Sequence, residues 1–415
     1  MRIPEEIRRN YGFLLASTIG VGTSSTIFLI YSIGVFVKPL SAAFGWSRQE
    51  VFGALTAATL GTLPASFVAG WLADRIRNWQ LVAASQFALG VGCFAFGCAT
   101  SSIWLFYGLY WLVAVASAGA LAITFARMLS LRFFRWRGVA MGLALSGSGV
   151  CGLLLPPYAA FFIREFGWRG GYYALGLIPL CVALPATLIL MRGDNRAQTP
   201  FRVAEPVSIS HIHGIAFRDA LFGARFWLML VAFFLVNGAA VGVITNFVPH
   251  LLDKGYKLES AARLGSLFGL FSIVGRIGIG ALMDRLWVPI IAFILLSAAA
   301  LATTALAFVN LQFEGFVVLI AIIGIATGAE VDFLSFLVPR YFGLKALGTI
   351  YGCIFALFNL SAGISPAIFG HIYDVQRSYH AAFVIDACAW FAGGVLLLLL
   401  GPYPKQSAVK SAQGA

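Results

Sequence analysis

Charge is scarce in this chain. Of 415 residues, 16 are Asp or Glu and 28 are Lys or Arg, so 11% carry charge, against about a quarter in a soluble globular protein. Together with a hydrophobic content of 60%, that shortfall excludes an ordinary water-soluble fold and points to a chain solvated by lipid. Histidine numbers only five. No His-rich cluster and no Ser/His/Asp set falls at membrane depth, which argues against an enzyme and leaves no cofactor or metal to expect. The six cysteines (Cys93, Cys98, Cys151, Cys181, Cys353, Cys388) lie inside apolar segments without C-x-x-C or His companions, so neither a disulfide framework nor a zinc site is indicated. His211 and His213 are two apart in a polar loop, but lack the further ligands that a metal requires. A net charge of +12 would suggest nucleic acid as the partner of a soluble protein. Here Lys and Arg lie between apolar runs, the topogenic pattern of an integral protein, and no nucleic-acid partner is expected.

Long apolar runs are what the chain has instead. Crossing about 30 Å of hydrocarbon takes about 20 residues, and twelve segments qualify: 12–36, 51–72, 80–99, 102–124, 138–163, 171–191, 226–247, 263–282, 288–309, 315–338, 347–372 and 380–401. The fold class is therefore an all-α membrane protein with 12 transmembrane helices. The first run is too long for a signal peptide and is followed by a charged turn rather than a small-residue cleavage site. Basic residues in alternate connections number 19 on the side of the N-terminus and 8 on the other. Cytoplasmic loops are enriched in Lys and Arg, so both termini are expected in the cytoplasm.

A short pattern, G-x-L-x-D-R, occurs twice at a spacing of 210: Gly70, Asp74 and Arg75 belong to one copy, Gly280, Asp284 and Arg285 to the other. Each copy closes an even-numbered apolar segment. A second correspondence joins the fifth segment (Pro157, then Trp168 and Tyr172) to the eleventh (Pro366, then Tyr379 and Phe383). Two pseudo-symmetric six-helix bundles follow, over residues 1–191 and 225–415, with a cytoplasmic connection at 192–224 holding Pro200 and Pro206. Residues 216–225 of that connection alternate apolar and charged residues at helical spacing, as an interfacial helix would. Parallel repeats of this kind face one another across a cavity near the bilayer midplane and rock to expose it alternately. Both G-x-L-x-D-R turns are expected to serve that movement.

The paired G-x-L-x-D-R turns resemble those of the major facilitator superfamily over essentially the whole chain. Two further stretches are similar to bacterial members of its monocarboxylate porter branch: Tyr31 to Leu40 running into Phe44-Gly45-Trp46-Ser47-Arg48, and Phe133-Phe134-Arg135-Trp136-Arg137-Gly138 followed by Gly142, Gly147, Gly149 and Gly152. The resemblance implies a bacterial inner-membrane carrier, read here as a monomer, that moves a small organic anion with protons or exchanges one anion for another. An exporter of cationic drugs is the alternative carrier, and it would demand an acidic cavity. A transporter-like receptor is disfavoured because the loop at 192–224 and the tail after Gly401 are too short for a signalling domain.

Arg276 carries the functional reading. It lies in mid-segment, where an Arg costs about 2.5–3.5 kcal/mol on insertion scales and is expected to face a cavity and meet an anion. Guanidinium stays protonated and offers a planar fork matched to a carboxylate. A fixed ion pair tying helices together is the competing reading. By resemblance, Arg276 falls where similar porters place an Arg that binds the substrate carboxylate. Glu330 and Asp332 stand at comparable depth in the tenth segment. Two residues apart on a helix is about 200°, so one is expected to line the path and the other to pack between helices. Either could pair with Arg276. A substrate carboxylate that took over the guanidinium would leave the acid without its counter-charge, and a proton would then bind with the substrate. Animal members of the branch carry an acid one turn before this Arg, where Ser272 stands here, and a Lys at the position that aligns with Tyr31. Tyr31, Asn237, Asn359 and Tyr351 are the remaining polar candidates for the substrate, each with an interhelical contact as its alternative. Asp386 in the last segment is read as a structural contact. The glycines of the fifth segment serve helix packing, because a phosphate loop also needs G-K-[ST] after a strand.

Overall fold

The computed structural model describes residue 8 and residues 10–73, 75–133, 136–191, 214–283, 285–309, 313–343 and 345–404. Both motif aspartates, Asp74 and Asp284, lie outside the described residues. So do Phe134 and Arg135 and most of the connection expected at 192–224, with Pro200, Pro206, His211 and His213.

Twelve helical crossings are traced among the described residues, several of them broken. Crossing 1 comprises Tyr11–Gly22 and Ser25–Phe44, parted where Ser24 is extended at φ −65°, ψ 140°. Crossing 2 is Arg48–Ala73 and crossing 3 Asn78–Gly97. Crossing 4 divides into Ile103–Ala116, a 3₁₀ turn Ala118–Ala120 and Ala122–Arg132. Crossing 5 starts with Arg137–Leu145 and continues into the helix Gly147–Ile178, which turns over at Gly167 (φ 69°, ψ 179°) to begin crossing 6. Crossing 6 finishes through a π-turn, Pro179–Ala183, and Leu184–Leu190. The second half is less interrupted: crossing 7 is Ala224–Asp253, 8 Leu258–Met283, 9 Val288–Phe308, 10 Phe313–Phe342, 11 Leu347–Gln376 and 12 His380–Leu398. A short helix, Phe217–Leu221, precedes crossing 7 within the stretch expected to be interfacial.

Several crossings outrun their apolar cores. Crossing 1 ends at Phe44 rather than near 36, and crossing 7 at Asp253 rather than near 247. Hydropathy stops at the first charge, whereas a helix continues into the headgroup region, where residues such as Lys38 extend their charge to water. Proline is also tolerated inside crossings 2, 7, 10 and 11, at Pro64, Pro249, Pro339 and Pro366, because neighbouring helices re-satisfy the freed backbone.

The 210-residue repeat is written into the backbone as well as the sequence. After crossing 2, Arg75 and Ile76 donate to the Leu72 carbonyl; after crossing 8, Arg285 and Leu286 donate to the Leu282 carbonyl. Positive φ recurs at the same spacing, at Gly45 (73°) and Gly255 (87°), and again at Gly167 (69°) and Arg377 (54°). Two six-helix bundles result. Within the second, crossing 8 packs on 10, 9 on 12 and 7 on both 11 and 12; between bundles, crossing 2 meets 11, 5 meets 8 and 1 meets 7.

Lipid offers no hydrophobic drive for helix association, so close packing at small residues sets these contacts. A Cβ on Gly269 would stand 2.3 Å from the Leu153 nitrogen and 2.4 Å from the Gly149 oxygen, so crossings 5 and 8 touch backbone to backbone. At the equivalent contact of crossings 2 and 11, a Cβ on Gly363 would meet Thr59 at 2.5 Å. Large apolar side chains face outward, among them Phe67, Trp104, Ile189, Ile277 and Leu301, as in a multi-pass membrane protein. All six cysteines are free; Cys98, Cys181 and Cys388 are exposed rather than packed inside.

Candidate functional site

Among the described residues, a cluster of polar side chains joins the bundles at one end. At the joined end Arg48, at the start of crossing 2, sends Nη2 to Asp253 Oδ1 at 2.7 Å and Nη1 to the Tyr379 hydroxyl at 2.5 Å, with its Cζ 3.5 Å above the Tyr373 ring. Lys38 reaches the same Asp253 oxygen at 3.0 Å. The Arg48 and Gln49 amides donate to the two carboxylate oxygens of Asp374 at 3.1 and 2.9 Å, and Gln49 also contacts His371. Arg164 pairs with Glu259. The repeat spacing carries Gln49 onto Glu259 and Arg164 onto Asp374, so these two links are pseudo-symmetric partners. At the other end, a Cβ on Gly70, Gly138, Gly142, Gly280, Gly348 or Gly352 would meet no atom within 4 Å.

Between these ends lies Arg276. Crossings 8 and 10 approach so closely that a Cβ on Gly328 would stand 2.1 Å from the Ser272 oxygen, and one on Gly275 2.3 Å from the Ile325 oxygen. Across that contact Arg276 Nε donates to the Gly328 carbonyl at 3.4 Å and stands 3.7 Å from Asp332 Oδ2. The ion pair is long: neither Arg276 Nη1 nor Asp332 Oδ2, both buried, has a hydrogen-bond partner among the described residues. Glu330 is more deeply buried, at 7% exposure, and its Oε2 is equally unpartnered. Both acids lie within electrostatic range of Arg276. They were expected to face apart; the guanidinium approaches Asp332 across the glycine contact, and Glu330 lies within its electrostatic range.

Tyr31, on crossing 1, comes to the same place from the other bundle. Its ring sits where a Cβ on Gly152 would be, 2.6 Å away, and its hydroxyl lies beside Ser272 within electrostatic range of Glu330 and Arg276. The other polar candidates make contacts of their own, and Tyr351 also lies within electrostatic range of Asp332. Asn237 spends its amide on the Phe358 carbonyl and on Ser361 Oγ at 3.1 Å, tying crossing 7 to 11. Asn359 donates to the Phe355 carbonyl one turn earlier at 2.8 Å. Tyr351 shares a 3.3 Å contact with Ser335 on crossing 10 and leads a stack through Phe355 to Phe358. In the two G-x-L-x-D-R turns, Arg75 lies 3.8 Å over the Trp71 ring and Arg285 is exposed. Asp386 is buried in crossing 12. A separate small cavity beside crossings 1, 2 and 11, lined by Ser25, Leu29, Thr59, Thr62 and Ala362, holds no charged residue.

Sequence reasoning missed the joined end: Lys38 and Arg48 entered it as loop charges and as part of a family-like stretch, and Asp253 and Asp374 did not enter it as partners. One signal was available, the 210-residue relation of Arg164 to Asp374 and of Gln49 to Glu259.

Comparison with known proteins adds the family context. The model of the Major Facilitator Superfamily matches residues 19–331. Monocarboxylate transporter 11 of Mus musculus is 25% identical over 406 residues, covering 94% of this chain and 87% of its own length. Monocarboxylate transporter 13 of Bos taurus is 25% identical over 400 residues with the same coverages. Among solved structures, a bacterial homologue of the human lysosomal transporter Spinster, in an inward-facing and occupied conformation, superposes with a TM-score of 0.65 at 16% identity over 95% of each chain.

Proposed function

Since the chain belongs to the major facilitator superfamily and its relatives are monocarboxylate transporters, we propose that it carries a small organic anion by alternating access, with Arg276 as the anion anchor. The observation that carries this reading is a buried guanidinium with an unpartnered Nη1, within electrostatic range of a tyrosine from the opposite bundle. Its one ion pair is too long to hydrogen-bond, so the fork is held in place by Gly328 without being consumed. A buried donor left unmade costs about 1–3 kcal/mol, and an incoming carboxylate would satisfy it.

Proton coupling follows from the same geometry. A carboxylate on Arg276 displaces the loose contact to Asp332 and leaves Asp332 and Glu330 without their counter-charge, so one of them takes up a proton. One anion and one proton together carry no net charge, and the pH gradient rather than the voltage drives the step. Anion exchange is the alternative if both acids keep their charge. A drug exporter fits poorly, because the guanidinium repels a cation.

The division into residues 1–191 and 225–415, a bacterial inner-membrane location, a monomeric state and cytoplasmic termini complete the proposal. The 19-to-8 bias of basic residues then turns the joined end outward and the opposite end inward. A thermal-shift screen of purified protein against mono-, di- and aromatic carboxylates tests the reading, since a ligand that binds only the folded state raises its apparent stability. The expected result is a rise with at least one carboxylate and none with cationic amphiphiles. The reverse pattern would overturn the assignment.

A further inference from the structure

Lys38 and Arg48 belong to crossings 1 and 2, whereas every acid they contact belongs to the other bundle. Lys38 Nζ and Arg48 Nη2 converge on one oxygen of Asp253, at 3.0 and 2.7 Å. Asp374, which accepts from the Arg48 amide, stands on crossing 11. The acid of their own bundle next to them in sequence, Glu50, accepts from the Ser47 amide at 2.8 Å. Parting the bundles at this end therefore strips both cations of their counter-ion in one movement. What remains on the first bundle is an ammonium and a guanidinium spaced to hold a single carboxylate oxygen between them.

Resting on the reading of the chain as an anion carrier, we infer that Lys38 and Arg48 form a transient carboxylate-binding site at the outer mouth, for which Asp253 is the built-in stand-in while that mouth is shut. Opening exchanges an internal carboxylate for one from solution. External substrate thereby favours the outward-open state, because a ligand shifts an equilibrium by its difference in affinity for the two states. The vacated cations also raise the local concentration of anions at the entrance, an effect that salt screens. The site differs from that of Arg276 in lying at the ends of crossings 1 and 2 and in existing only when the mouth is open.

A latch without a binding role makes a different prediction, and two variants separate the alternatives. Asp253→Asn removes the stand-in and keeps both cations; the double variant Lys38→Gln, Arg48→Gln keeps Asp253 and removes them. Both break the latch. The measurement places spin labels at Phe166 and Lys257, on opposite bundles, in full-length protein with its native cysteines replaced. An Arg276→Gln background keeps the central site from contributing. Acetate is titrated against chloride at matched ionic strength, following the label separation and, in parallel, the thermal shift. Expected is a longer separation with acetate in the background protein. The half-saturating acetate concentration read from the thermal shift should fall several-fold with Asp253→Asn and rise at least fivefold with the double variant. No change of separation with acetate, or a shift of both variants in the same direction, overturns the inference. Failure of the central site would show instead as an Arg276→Lys protein that still binds carboxylates normally.

Discussion

Arg276→Lys keeps the charge at the centre of the site and removes its fork, which makes it the sharpest test of the anchor. In the wild type, Nε is committed to the Gly328 carbonyl at 3.4 Å, so the two terminal nitrogens are the ones that a carboxylate can take as a pair. An ammonium supplies a point charge in place of two parallel donors. The difference is about one charge-assisted hydrogen bond, roughly 1.5–3 kcal/mol, and affinity should fall about 10- to 150-fold by the usual conversion of about 1.4 kcal/mol per decade. Isothermal titration with the carboxylate selected by the thermal-shift screen measures this directly. Arg276→Gln, which lacks the charge as well, should bind more weakly still. A Lys variant within twofold of wild type would show that the guanidinium is a structural tie to Asp332, and the anchor would have to be sought elsewhere.

Three further outcomes follow from named contacts. Proteoliposomes containing the Glu330→Gln, Asp332→Asn double variant should lose the dependence of uptake on a pH gradient while retaining exchange of internal for external substrate; full retention of that dependence removes both acids from coupling. Gly167→Ala should lower stability by about 1–3 kcal/mol, because φ 69°, ψ 179° is a region essentially restricted to glycine; open space surrounds the position, so the loss is conformational, and an unchanged melting temperature would contradict it. Gly269→Ala adds a methyl 2.3 Å from the backbone of crossing 5, an overpacking worth about 1–3 kcal/mol, and should both lower the melting temperature and spread the labels placed across crossings 5 and 8.

Much of the architecture could be read from apolar length and the repeat, since both express constraints of the bilayer that act along the sequence. The breaks could not. Crossing 1 parts at residues 23–24 and crossing 4 at Ala118–Ala120, and each break lies next to a glycine contact with another crossing, Gly22 against Gly147 and Gly119 against Leu81. Such contacts join residues far apart in the chain and leave no local pattern. The same holds for the site. Arg276, Glu330 and Asp332 stood out because a charge in an apolar run is costly wherever it sits. Asn237 stood out equally, yet its amide is spent between crossings 7 and 11, since a polar group in lipid needs a partner whether or not it serves a ligand. Lys38, Arg48 and Asp253 were hidden for the opposite reason: charge at a helix end is ordinary until its partner across the bundles is known.

The duplicated halves have kept their mechanical joints and divided their chemistry. Positions related by the repeat to Arg276, Glu330 and Asp332 are Ser66, Ala120 and Ala122, all uncharged. On the proposed reading, a solute at the central site is held by a charge of the second half alone, and the first half contributes the Tyr31 hydroxyl there.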